Sequence, residues 1–194
     1  MKDVNQLRRG TTFLYDGNLY KVTEYSHSKP GRGKANIRVN VRNLRTGSNL
    51  PITFTSGERV EDVRLDQQTY QYLYDDGSFY VFMDNNTFEQ VQVPHSVLEA
   101  DAKYLRDNME LDLLSYEGEI IDYILPKSLE FEVVEAENAV AGDTATGATK
   151  DVVCETGLKV RTPLFIQAGD RIKVNTESGE YITRVWMDIS PQIV

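Results

Sequence analysis

The segment Ser28–Ala35, with the sequence Ser-Lys-Pro-Gly-Arg-Gly-Lys-Ala, contains the residues of this chain best suited to contact an anionic partner. It holds three cations and no carboxylate. Gly31 and Gly33 flank Arg32, so the backbone there can turn sharply or approach a partner closely. Pro30 fixes its own φ and biases the preceding residue toward an extended conformation. The segment could therefore place an arginine in a confined anionic space, although an ordinary solvated hairpin loop would have the same composition.

Residues arranged for catalysis or metal binding are not evident. The two histidines, His27 and His95, are far apart in the sequence, and Cys154 is the single cysteine. No nucleophile elbow, phosphate-binding loop or HExxH motif occurs. The Gly31-x-Gly33 pair is not followed by a helical pattern, so a dinucleotide site is not supported. We predict that the chain is not an enzyme and binds neither a metal nor a cofactor.

Charge is distributed unevenly along the 194 residues, whose net charge is −9. Residues 1–64 hold 12 Lys and Arg against 6 Asp and Glu, whereas residues 65–127 hold 3 against 13. The first third could therefore contact phosphate, while the acidic remainder would meet basic proteins or serve solubility. Without a signal peptide, a long apolar segment or a second cysteine, we expect a cytoplasmic monomer that does not contact membranes.

The pattern of strands and turns predicts an all-β protein with three units and a short tail. The basic unit, residues 1–64, has five predicted strands, a turn at Asp16-Gly17 and a tip loop at 28–35. Residues 65–127 and 128–187 each resemble a small five-stranded barrel, and 188–194 form an extension. In the second unit, Ser96 and Glu99 match a helix capping box. In the third, strands are predicted at Leu158–Thr162, Leu164–Gln167, Arg171–Asn175 and Tyr181–Trp186.

One strand of the basic unit should have a buried face and a cationic face. Ile37, Val39 and Val41 alternate with Arg38, Asn40 and Arg42, which is the period of a half-buried strand. We predict contacts to RNA phosphate from three arginines on or beside the cationic face: Arg38, Arg42 and Arg45.

Several motifs together resemble the bacterial elongation factor P family over residues 1–187. One is the tip Lys29-Pro30-Gly31-Arg32-Gly33, and another is Tyr72–Gly77 with Val81–Asp84 and Thr87–Gln90. The third unit contributes Gly142-Asp143-Thr144, Thr156-Gly157, Pro163-Leu164-Phe165, Gly169-Asp170 and Thr176–Tyr181. The combination is specific, whereas the tip alone would not be.

The resemblance implies three small β-barrels in an elongated, L-shaped, tRNA-like molecule: a KOW/SH3-like domain followed by two OB-fold domains. It implies binding to the 70S ribosome between the peptidyl and exit tRNA sites, and faster peptide-bond formation at proline runs. The tip would point toward the CCA end of peptidyl-tRNA; its residues are Lys29, Pro30, Gly31, Arg32, Gly33 and Lys34. The third-domain loop Gly142-Asp143-Thr144 would face the exit-site codon region.

The tip also departs from the family pattern. Members with lysine at the position of Arg32 extend it by β-lysylation, and members with arginine attach rhamnose, usually in a Ser-Gly-Arg-Asn context. Arg32 stands in the Pro-Gly-x-Gly frame of the lysine type, so both an unmodified arginine and a modifying enzyme as partner remain open. Three alternative functions also remain: a paralogue with another stalling-motif preference, a stand-alone OB-fold RNA-binding protein or RNA chaperone, and a protein-interaction scaffold with acidic OB domains.

Overall fold

The computed structural model describes residues 1–28, 36–137 and 148–186, and β-strands dominate them. By its contacts the chain divides into two compact units. One is Met1–Glu99 with Asp112–Ile124, and the other is Ala100–Leu111 with Leu125–Val194. The strands form three sheets, which confirms the predicted all-β class. Within the described ranges, no helix has the length and apolar character needed to cross a bilayer.

The first sheet has six antiparallel strands in the order β1-β6-β2-β3-β4-β5. Asp16 and Gly17 join β2 to β3 with φ angles of 49° and 74°. Positive φ at both central positions is what a type I′ hairpin turn requires, so the predicted turn is confirmed. The strands are β1 (Lys2–Asp3), β2 (Thr12–Tyr15), β3 (Asn18–Ser28), β4 (Asn36–Asn43), β5 (Asn49–Thr55) and β6 (Arg59–Asp62).

Strand β4 has the two faces predicted for it. Ile37, Val39 and Val41 are fully buried in the core of the first sheet, whereas Arg38 is exposed. The core also contains Phe13, whose ring lies 6.1 Å from the ring of Phe54. Because one face of β4 is committed to this core, its alternate residues must point the other way.

The second sheet has five strands in the order β11-β10-β7-β8-β9. A short helix follows β9 directly and continues as a 3₁₀ turn over Glu99–Tyr104. The elements are β7 (Asp66–Asp75), β8 (Phe79–Asp84), β9 (Gln90–Pro94), α1 (His95–Leu98), β10 (Glu110–Tyr116) and β11 (Glu119–Ile124).

The predicted capping box at this helix is wrong. Pro94 occupies the N-cap position and makes no side-chain cap, and Ser96 is already the second helical residue. The reason is that β9 extends to Pro94, so the helix begins two residues earlier than the sequence pattern indicated. A residue with helical backbone geometry cannot serve as an N-cap.

One apolar cluster in the first unit joins residues of the first and second sheets. Leu19 lies on β3, Leu44 in the turn that follows β4 and Ile121 on β11, and all three are buried. We call this the Leu19 cluster. Partly buried side chains that pack against it are Leu14, Val63, Leu65 and Tyr116.

The third sheet lies in the second unit and has the strand order β14-β13-β12-β15-β16. The segment between α1 and β10 packs on it: the Tyr104 ring lies 6.3 Å from the Phe131 ring. The Arg106 guanidinium donates to the Glu130 carbonyl at 2.6 Å. The strands are β12 (Ser128–Ala136), β13 (Thr149–Cys154), β14 (Lys159–Pro163), β15 (Arg171–Asn175) and β16 (Tyr181–Val185).

The strand predicted at Leu164–Gln167 does not form. The chain turns after β14, and the Ile166 amide donates to the Pro163 carbonyl at 3.2 Å. Ile166 is fully buried while Phe165 is exposed. A turn with one inward and one outward apolar side chain thus has the same local pattern as a short strand.

Candidate nucleic-acid interface

The tip segment is carried by the long hairpin of β3 and β4. Their pairing runs from Tyr20 opposite Asn43 to Ser28 opposite Asn36, with a register shift between Val22 and Glu24. Eight residues of extended chain span roughly 25 Å, so the hairpin holds the ends of the tip well away from its own base. The six predicted tip residues, Lys29 to Lys34, lie outside the described residues.

Arg38 lies near the end of this hairpin, opposite Ser26 on β3. It lines a surface cavity of about 410 Å³ together with Glu24, Tyr25, Ser26 and Asn40. The Asn40 amide donates to the Glu24 carboxylate at 2.6 Å, so part of the hydrogen-bonding capacity of that carboxylate is already used. Among the described residues, Arg38 has no hydrogen-bonding or charged protein partner, so its guanidinium remains available to another molecule.

A second cation, Arg8, lies beside strand β3. The Arg8 guanidinium lies 5.2 Å above the Tyr25 ring and donates to the carbonyls of Asn5 and Leu7. Sequence reasoning missed Arg8, because its partner is seventeen positions away and the chain between them turns twice. A guanidinium over an aromatic ring can still present edge N–H groups to an anion.

Arg42 and Arg45 lie beside the second sheet. Arg42 donates to the Ser96 carbonyl at 3.5 Å, and Arg45 pairs with Glu119 at 3.1 Å. The three predicted phosphate contacts therefore do not form one patch: Arg38 is near the tip, and the other two are near the acidic sheet. Exposed ion pairs of this kind contribute about 0–1 kcal/mol to stability. A phosphate could therefore replace Glu119 as the partner of Arg45 at little cost.

The structure also brings together Lys21 and Asp122, which sequence reasoning missed. Lys21 Nζ lies 2.5 Å from Asp122 Oδ2, and the Asp122 residue is 5% exposed. The residues are 101 positions apart, so no local pattern could pair them. The only signal in the sequence was the opposite charge of residues 1–64 and 65–127.

The third sheet has an exposed cluster of arginine and aromatic side chains. The Arg184 guanidinium lies 3.9 Å from the Trp186 ring centre and 5.5 Å from that of Phe165. Its Nη1 is 3.6 Å from the Asp170 carboxylate. The predicted codon-facing residues Gly142, Asp143 and Thr144 connect β12 to β13 and lie outside the described residues.

His95 and Asp75, two titratable residues of the second sheet region, contact each other. His95 Nε2 lies 2.8 Å from Asp75 Oδ1, and the centre of the His95 ring lies 4.4 Å from that of Tyr80, with the ring planes tilted by 39°. The Gly77 amide, and then His95, lower the pKa of Asp75. Burial and the neighbouring Glu155 raise the pKa of Cys154 to about 11, so its thiol stays protonated. No metal-binding group of three or more His, Cys, Asp and Glu occurs among the described residues.

Three family profiles match consecutive parts of the chain. They are the elongation factor P KOW-like domain over residues 3–60, the elongation factor P OB domain over 65–123, and the elongation factor P C-terminal domain over 129–184. These ranges contain the three sheets almost entirely.

Two relatives match nearly the whole chain. Elongation factor P of Mesoplasma florum is 46% identical over 181 residues, covering 93% of this chain and 98% of the relative. Elongation factor P of Moorella thermoacetica is 46% identical over 184 residues, covering 95% and 100%. A solved structure, eukaryotic translation initiation factor 5A from Methanococcus jannaschii, covers 63% of this chain and 94% of its own at 24% identity, with a TM-score of 0.48. The chain thus belongs to the elongation factor P family of translation elongation factors.

Proposed function

We propose that this elongation factor binds the ribosome between the peptidyl and exit tRNA sites and accelerates peptide-bond formation at proline runs. In this proposal the tip orders the CCA end of the peptidyl-tRNA. The observation that supports it is the β3–β4 hairpin, which lies within the range matched by the elongation factor P KOW-like domain and whose paired strands hold both ends of the cationic segment. The partners are then the 70S ribosome and peptidyl-tRNA, and the factor acts as a cytoplasmic monomer.

The chemistry required of such a factor is positioning. Holding a reactive end in attack geometry lowers the entropic part of the barrier and needs fixed donors rather than a proton-transfer group. Arg32 would supply them, since a guanidinium stays charged and offers five N–H groups to phosphate, ribose or base. The factor itself hydrolyses nothing and needs no cofactor in this mechanism.

Other residues would supply binding energy. Arg38 would contact RNA phosphate near the tip, and Arg42 and Arg45 would do so from the side of the second sheet. The loop Gly142-Asp143-Thr144 would contact the exit-site codon region. Arg32 is proposed to act without a sugar, and intact-mass spectrometry on native protein measures any added mass directly.

The test is a reconstituted translation system with one reporter containing Pro-Pro-Pro and one without proline. The factor should accelerate the first and barely change the second. Arg32→Ala should slow the proline reporter about ten-fold or more, since one or two charge-assisted hydrogen bonds contribute about 1.5–3 kcal/mol each. Arg32→Lys should rescue the rate in part, because an ammonium lacks the planar fork.

Arg59→Ala is the matched control, because it removes an exposed cation of the same sheet that lies on β6. It should leave both reporters unchanged. Equal acceleration of both reporters would reject the proline-run function, and acceleration of a different stalling motif would favour the paralogue. Failure to sediment with ribosomes would favour a stand-alone RNA-binding protein. Full activity of Arg32→Ala would show that the tip is a passive spacer.

A further inference from the structure

The Lys21–Asp122 ion pair joins the two sheets of the first unit at a buried position. Lys21 lies on β3 and Asp122 on β11, and their charged atoms are 2.5 Å apart. The side chain of Asp122 is 7% exposed and that of Lys21 is 33% exposed. An ionised carboxylate at such a position is tolerated because the ammonium compensates its charge.

Apolar residues lie close to this pair along both strands, but apolar contacts alone do not fix the direction of β3. The Leu19 cluster lies two residues from Lys21 along β3 and one residue from Asp122 along β11. Apolar contacts depend on buried area and allow small shifts of one surface over another. A short ion pair, by contrast, fixes the separation of two named atoms.

Because β3 continues from Lys21 to Ser28, the direction of the strand at Lys21 determines where the chain enters the tip. Seven residues separate Lys21 from Ser28, the last residue of β3, which corresponds to roughly 23 Å of extended chain. A tilt of about 5° at Lys21 would therefore move the tip's attachment point by about 2 Å. Misplacement by about 1 Å can reduce the rate of a positioned reaction on the order of 100-fold.

We propose that Lys21 and Asp122 are positioning residues, whose ion pair fixes the direction in which the β3–β4 hairpin presents the tip. This role rests on the proposed function, because it concerns the rate at proline runs. The pair should contribute little to ribosome affinity, since Asp122 is buried and the Lys21 ammonium is occupied. Removing the ion pair should therefore lower the rate at proline runs and leave ribosome affinity nearly unchanged.

The test variant is Lys21→Met/Asp122→Leu, which removes both charges without leaving a buried carboxylate unpaired. Replacing a buried ion pair by apolar residues is often neutral or stabilising, so we expect this variant to fold. Lys2→Met/Asp62→Leu is the matched control, because it removes a 2.8 Å ion pair of the same sheet between β1 and β6. Lys21→Arg is the conservative variant, which keeps the cation.

Orientation can be measured with spin labels on cysteines introduced at Thr53 and Asn86. Thr53 is exposed on β5 opposite Arg38, and Asn86 is exposed in the β8–β9 turn of the second sheet. The native Cys154 is buried, and burial raises the pKa of its thiol to about 11, so it should not take the label. Pulsed electron resonance then gives the distribution of label-to-label distances.

In the double variant we expect this distribution to broaden by about 2 Å or more and the rate at the proline reporter to fall at least ten-fold. Ribosome affinity should stay within about two-fold of native. The control and Lys21→Arg should keep the native distribution and rate. An unchanged distribution, or a broadened one with native rate, would overturn the positioning role while leaving the proposed function intact. If the native factor itself fails to accelerate the proline reporter, the proposed function fails first, and the distances alone then decide whether the pair fixes orientation.

Discussion

Replacing Arg38 by alanine should weaken ribosome binding in a manner that depends strongly on salt. Arg38 is the one of the three predicted phosphate contacts that lacks a protein partner among the described residues, whereas Arg42 and Arg45 contact Ser96 and Glu119. A lost phosphate contact lowers the slope of log affinity against log salt by about 0.7–0.9. Between about 50 and 200 mM salt, that amounts to roughly a 2.5- to 3.5-fold change in relative affinity.

The measurement is a titration of labelled factor with ribosomes at four salt concentrations. Arg38→Ala should lower the slope by about 0.7–0.9, and a triple variant with Arg42→Ala and Arg45→Ala should lower it by about two to three units. Arg59→Ala should leave the slope unchanged, since Arg59 lies on β6, which does not pair with β4. An unchanged slope for Arg38→Ala would show that Arg38 is merely solvated and that the cavity beside it does not face RNA.

Three further predictions concern stability and reactivity. Ile121→Ala should lower the free energy of unfolding by about 2–5 kcal/mol in denaturant titrations, because it leaves a hole in the buried Leu19 cluster; a loss below about 1 kcal/mol would mean that the two sheets repack freely. Thr162→Val should raise that free energy by up to about 1 kcal/mol, since the Thr162 hydroxyl is buried and has no hydrogen-bond partner among the described residues; marked destabilisation would indicate an ordered water there. Cys154 should resist alkylation at pH 8 in the native protein and react on unfolding, because burial raises its pKa to about 11 and so keeps the thiol protonated; rapid native labelling would contradict the burial.

Features set by neighbouring residues could be predicted from the sequence. Alternation gave the buried face of β4, and Asp16-Gly17 gave a hairpin turn because few residue pairs tolerate two positive φ angles. The capping box predicted at Ser96 was wrong, because β9 extends to Pro94 and the helix begins at His95. The strand predicted at Leu164–Gln167 was also wrong, because a turn there has the apolar pattern of a strand.

By itself the sequence determined the all-β class and the cationic composition of the tip, because strand period, turn chemistry and charge depend on residues close together in the chain. The family followed from the resemblance of several motifs taken together. Only the tertiary structure decided which cations are available. It left Arg38 free of protein partners among the described residues, turned Arg42 and Arg45 toward the second sheet, and paired Lys21 with Asp122. Those contacts join residues up to 101 positions apart. The interaction of two charges depends on their separation in space and on how far water is excluded between them, and neither quantity exists until the two sheets have packed.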